Sequence, residues 1–205
     1  MYCNKLHGLM PMKAKTLSDK EYRILLNRID AGNKNLRLRN KTIIILSYKL
    51  GLRAKEIASL KVGDVFENGK VVDLLNLSKE YTKGDKQREL ALTNKVVNES
   101  LSEWLESLME EYPTIFNSDM PLFRTQKKSA FSAGRMAECI KSIYTNAGFD
   151  KCSSHSGRRT FITNLANKGI DLNSIRILAG HTSIATTQIY IDENPVMLAN
   201  IMKQA

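Results

Sequence analysis

His155-Ser-Gly-Arg158 sets an imidazole and a guanidinium three residues apart at a helix start, on one face of that helix. Such a pair makes a phosphate clamp, with the arginine bidentate and the histidine a donor or a base. Arg53 follows Gly51-Leu52 and opens another helix, where its guanidinium and the free N–H groups of the first turn suit an anion. Lys83 stands in Thr82-Lys-Gly-Asp-Lys86 on a hairpin tip, where an ammonium could protonate a leaving alkoxide; Lys79 and Lys86 are its local rivals. His181 comes just past the helix stop Gly180 and could donate to a phosphate oxygen. Tyr190 lies one short helix further on, a hydroxyl that such basic residues would suit as a nucleophile. Each has an ordinary explanation alone: a capping histidine, an Arg53–Glu56 surface pair, a solvated turn lysine, a polar C-cap, a core or surface aromatic.

The charge is asymmetric. The net +10 is spread as 20 Lys/Arg against 10 Asp/Glu in residues 1–95, none against 6 in 96–120, 10 against 3 in 121–181, and 1 against 2 in 182–205. Two basic blocks flanking an acidic segment suit a polyanion such as nucleic acid, though a basic solvated face has the same composition. No apolar run approaches the ~20 residues of a membrane span, and the N-terminus lacks the regions of a signal peptide. Cys3, Cys139 and Cys152 are odd in number and show no CxxC spacing, which fits free thiols in a reducing compartment and no zinc site.

The elements that must position these residues are mostly helices. Residues 1–15 read as a basic tail. Ser18-Asp-Lys-Glu21 is a capping box opening a helix to about Asp30. Asn35 to Asn40 reads as a basic loop, then helices run from about Lys41 to Leu50 and from Arg53 to Leu60. Asn68-Gly69 is a hairpin signal before a strand from Lys70 to Leu77, and Arg88 to Thr93 reads as the strand after a second turn. A helix from Asn94 to about Tyr112 buries Val97, Leu101, Trp104, Leu105 and Leu108 and turns Glu99, Glu103, Glu106 and Glu110 outward. Further helices are expected at Ser132–Asn146, Ser154–Lys168, Asn173–Ala179, Ser183–Ile191 and Pro195–Met202. The fold class is therefore α+β, mainly α-helical, with a small antiparallel sheet, as one domain over 16–205.

Taken in order, these elements resemble the tyrosine recombinase (phage integrase) family. The family pattern is an arginine after Gly-Leu at a helix start, a lysine on a β-hairpin, and His-x-x-Arg at another helix start. It ends with a histidine after Leu-x-Gly and a tyrosine nine residues on. Here these are Gly51-Leu-Arg53-Ala-Lys-Glu56, Lys83, His155-Ser-Gly-Arg158-Arg-Thr-Phe, and Leu178-Ala-Gly-His181 with Tyr190. The resemblance covers about residues 16–205.

The resemblance implies site-specific DNA recombination by cleavage and rejoining, without metal or cofactor. Tyr190 would attack a phosphate to give a 3′-phosphotyrosine, Arg53 and Arg158 would neutralise the non-bridging oxygens, and His181 would bond the same oxygens. Lys83 would protonate the leaving 5′-oxygen, and His155 would assist proton removal or hold the site together. Glu56 and Asp64, acids at family positions, are expected to be structural. Lys79, Lys86, Arg88, Arg159, Lys127 and Lys128 are expected along double-stranded DNA. The implied assembly is a homotetramer on DNA, with a monomer allowed off it, in a bacterial or phage cytoplasm at the nucleoid and away from membranes. With about fifteen residues before the first catalytic-domain helix, the chain is expected either to resemble short relatives such as fimbrial-switch invertases, which lack a core-binding domain, or to be a separated or truncated catalytic domain. The apolar residues Val196, Met197, Leu198, Ile201 and Met202 suit docking, either on a neighbouring protomer or on the chain's own core. Relaxation of supercoils in the manner of a type IB topoisomerase, or non-catalytic DNA binding, are the other function classes.

Overall fold

The computed structural model describes residues 14–34, 36–81 and 87–190. Lys83, Lys86 and the expected final helix lie outside the described residues. The elements in chain order are α1 (Asp19–Asp30), α2 (Arg37–Lys49), α3 (Ala54–Ser59), α4 (Val62–Val65), β1 (Phe66–Glu67), β2 (Lys70–Val71), β3 (Leu74–Leu77) and β4 (Arg88–Ala91). After them come α5 (Lys95–Glu111), α6 (Ala133–Asn146), α7 (Ser156–Asn167), α8 (Leu172–Ala179) and α9 (Ile184–Gln188). This is the mainly helical α+β architecture expected. Among the described residues no helix is long and apolar enough to cross a membrane.

The frame is built around the middle of α2, where a run of four apolar residues is covered on all sides. Ile43, Ile44, Ile45 and Leu46 are all at most 1% exposed, with α1, α5 and α7 packed against them. Burying one such side chain contributes about 1.5–3 kcal/mol. Two polar devices register the helices. Thr42 on α2 meets Ser100 on α5 at 2.8 Å between hydroxyls, both buried. Gly157 on α7 lies so close to α2 that a Cβ there would stand 2.5 Å from the Ser47 hydroxyl and 3.1 Å from backbone. A side chain at 157 would therefore push α7 off α2.

The local signals behave as their chemistry requires. Ser18 and Glu21 form both bonds of the capping box on α1, and Asn94 caps α5 through the Val96 and Val97 amides. Asn68 and Gly69 both take positive φ, 51° and 78°, between β1 and β2, as a two-residue hairpin turn demands. The stripe expected on α5 is buried as read.

Three boundaries differ. The expected loop 35–40 is helical from Arg37, because Arg39 turns inward: its guanidinium bonds the Arg124 carbonyl at 3.1 Å and covers the Phe131 ring. The expected strand 70–77 is two strands with a bend at Asp73, which falls in phase with buried Val71, Leu75 and Leu77 yet turns out to solvent. β2 pairs with β1, and β3 pairs antiparallel with β4, Leu77 opposite Arg88. The short α4 was not expected; Asp64 caps it through the Lys61 amide at 2.8 Å, a structural use of that acid.

Candidate active site

Five of the side chains that could act on a phosphate line one open pocket of about 430 Å³: Arg53, His155, Arg158, His181 and Tyr190, with Thr182 and Thr186 at its edge. They come from four places, and each is delivered by an end of a helix. Arg53 is the residue before α3, His155 the residue before α7, Arg158 the first turn of α7, and His181 and Tyr190 flank α9.

The guanidiniums are fixed by backbone carbonyls and one buried acid. Arg53 bonds the Glu56 carboxylate at 2.7 Å and the Gly180 carbonyl at 2.9 Å. Arg158, 5% exposed, bonds the Gly51 carbonyl at 2.7 Å and the Ala179 carbonyl. The end of α8 thus receives cations at its negative pole. Burial first, then the Arg53 charge, pull the Arg158 guanidinium down to about 9, so it is still cationic at neutral pH.

Arg88, expected along DNA, is instead inside. It is buried, its Nη2 is 2.8 Å from Glu56 Oε2, and its Nη1 bonds the Ala179 carbonyl. A long side chain at the start of a strand facing α8 can reach inward, and here a fully buried carboxylate compensates its charge. Glu56 therefore holds two arginines at once, the structural use expected of it. Gly180, at φ +63°, ends α8 directly over Arg88: a Cβ there would lie 2.4 Å from Nη1.

His181 is 6% exposed, and its Nδ1 lies 2.8 Å from the Thr187 hydroxyl. Its ring stacks on Tyr190, centroids 6.0 Å apart and planes 16° from parallel. The Arg159 guanidinium, also expected along DNA, lies over the other partner of that stack, 5.5 Å from the Tyr190 ring centroid. His155 is exposed, without a side-chain cap bond to its helix. Lys79, Lys127 and Lys128 are exposed and do not join the pocket. Lys79 follows β3, and the other two border separate hollows beside α5 and α6.

Burial, then the charges of Arg158, Arg53 and Arg88, depress the His181 imidazole to about 4. The folded ring stays neutral where an unfolded one, near 6.5, takes a proton, so the unfolded chain binds more protons between those values. Stability should therefore rise with pH across that window and fall as pH drops through it, by ~2–3 kcal/mol in total. Denaturant midpoints measured from pH 4.5 to 7 in the wild type and in His181→Gln check this; the variant should lose that part of the slope, and equal slopes would disprove it.

Of two further site residues, Glu56 was expected only as a structural acid and not as a clamp shared by two arginines, and Thr187 behind His181 carried no signal. Buried acids and threonines become visible only when partners far apart in sequence converge.

The described residues thus form a mainly helical domain with a cationic pocket that a tyrosine helps to line. The chain belongs to the phage integrase family, whose model matches residues 15–196. It is 30% identical over 197 residues to tyrosine recombinase XerD of Haemophilus ducreyi, covering 93% of this chain and 62% of that protein. It is 29% identical over 177 residues to XerA of Pyrococcus furiosus, covering 86% and 56%. Among solved structures, a XerH site-specific recombinase bound to difH substrate matches at 30% identity and TM-score 0.66, covering 86% of this chain and 49% of that one. A XerA recombinase structure shares the fold at TM-score 0.71 and 24% identity, covering 95% and 65%. The chain thus spans roughly half to two thirds of the length of these relatives.

Proposed function

We propose that this chain performs the DNA breaking and rejoining steps of site-specific recombination. The observation that supports this most is that Arg53, Arg158, His155 and His181 line one pocket together with Tyr190. Tyr190 attacks a DNA phosphorus in line, the bond from phosphorus to the 5′-oxygen breaks, and a 3′-phosphotyrosine and a free 5′-hydroxyl result. Arg53 and Arg158 meet the charge that builds on the non-bridging oxygens. Both are already held in place by Glu56, Gly51, Ala179 and Gly180, so little reorganisation is needed when the phosphate arrives.

His181, neutral and buried, gives those oxygens a hydrogen bond in place of a further charge. His155, exposed at the pocket mouth, takes the tyrosine proton or steadies the site. Lys83 returns a proton to the leaving oxygen. The phosphotyrosine conserves the energy of the broken bond, so an incoming 5′-hydroxyl reseals the strand with no nucleotide consumed. Double-stranded DNA is the partner, four copies on DNA the working assembly, and the bacterial nucleoid the place of action. Lys79, Lys86, Lys127 and Lys128 contribute sequence-independent phosphate contacts.

The test uses a nicked duplex from which the short cleaved fragment bearing the new 5′-hydroxyl diffuses away. Since the target sequence is part of the question, the probe is the DNA that flanks the gene, tiled as nicked duplexes. The wild type should accumulate a covalent protein–DNA adduct, and Tyr190→Phe none. An adduct that persists in Tyr190→Phe would place the nucleophile elsewhere.

A further inference from the structure

Thr187 is fully buried, yet it is a polar residue in a five-residue helix that otherwise shows its side chains to solvent. Its hydroxyl lies 2.8 Å from Nδ1 of His181. Its carbonyl accepts the Tyr190 amide at 3.0 Å and also takes the amide of Ile189. One residue therefore touches, by two different groups, the ring of the histidine and the backbone of the tyrosine that stacks on it.

An imidazole with a partner on one nitrogen has its other nitrogen decided for it. A neutral ring carries one N–H. If the threonine hydroxyl donates to Nδ1, the proton must sit on Nε2 and the ring offers a donor there. If Nδ1 carried the proton, Nε2 would be a bare acceptor, which a phosphate oxygen cannot use. The backbone at His181 is itself pinned, its amide to the Arg176 carbonyl at 3.0 Å, so the ring has little freedom to change partner by moving.

We propose that Thr187 is a positioning residue: its hydroxyl donates to Nδ1 of His181 and thereby sets the Nε2–H tautomer that the pocket uses toward a phosphate, while its carbonyl ties the Tyr190 turn to the same point. The use toward phosphate rests on the strand-cleavage reading above; the tautomer does not. Among ordinary side chains serine alone matches both the reach and the hydroxyl, and valine matches the shape without the donor.

The experiment has two arms on the full chain. In the first, long-range nitrogen–proton NMR correlations report which ring nitrogen of His181 is protonated at pH 7. The signal is assigned among the chain's three histidines by its loss in His181→Gln. The expected result is an Nε2–H ring in the wild type and in Thr187→Ser, and a mixture of tautomers in Thr187→Val. A predominantly Nδ1–H ring in the wild type, or an unchanged ring in Thr187→Val, overturns the proposal.

In the second arm, adduct formation on the nicked duplex is timed. Thr187→Val should be slowed at least tenfold at unchanged DNA binding, and Thr187→Ser should recover most of that rate. Equal rates for wild type and Thr187→Val, or a serine variant as slow as the valine one, overturn the positioning role. Absence of any adduct in the wild type would refute the strand-cleavage reading instead, and the first arm would still decide the tautomer.

Discussion

Glu56→Ala should destabilise the chain by about 3–5 kcal/mol, the cost of leaving a buried charge without its partner. Glu56 is 0% exposed and bonds Arg53 through one oxygen and Arg88 through the other. Its carboxylate also takes the Arg53 amide at 2.7 Å, capping α3. Removing it leaves the buried Arg88 guanidinium facing Arg53 and Arg158, three like charges with no counter-ion among them. The loss of the cap adds about 1 kcal/mol more. Glu56→Gln keeps the shape and one acceptor, and should fall between the wild type and alanine. Urea denaturation followed by circular dichroism measures both. A loss below 1 kcal/mol for Glu56→Ala would mean that the carbonyls of residues 179 and 180 hold the arginines without help.

Arg158→Ala should slow covalent adduct formation by two to three orders of magnitude, the scale on which a donor aimed at a developing oxyanion acts. The side chain enters the pocket with its charge intact, and the Gly51 and Ala179 carbonyls fix its plane. Arg158→Lys should not restore the rate. A lysine supplies a point charge, while this geometry needs a planar fork that bonds two carbonyls and still faces the phosphate. DNA affinity, measured at a stated salt concentration, should change by much less than the rate, because many other cations contribute to it. A lysine variant that cleaves like the wild type would show that charge alone is required at this position.

The legibility of the fold in sequence followed the range of the interactions involved. Capping boxes, the Asn68-Gly69 turn and the stripe on α5 depend on neighbours within four residues, and these were readable. Helix α2 began four residues early because Arg39 found partners at Arg124 and Phe131, far along the chain. Arg88 was misplaced for the same reason: it was expected along DNA beside Lys79 and Lys86, and only the approach of α8 to β4 shows that it points inward. The convergence of Arg53, His155, Arg158, His181 and Tyr190 was readable as an ordered pattern and not from any one residue. Their second layer, Glu56 and Thr187, was legible for Glu56 only as a structural acid and for Thr187 not at all.

The guanidiniums of Arg53, Arg88 and Arg158 all end on carbonyls of two consecutive residues, Ala179 and Gly180. A peptide oxygen belongs to the main chain, so no substitution deletes it. An exposed position in the last turn of α8, such as Ile177, is therefore free to change in composition, unlike buried Ala179 and positive-φ Gly180, while the length of the turn is under tight constraint. Loss of one residue from α8 would swing its final turn by about 100° and carry both oxygens out of reach. Point changes and single-residue deletions in this helix should thus have very different evolutionary fates.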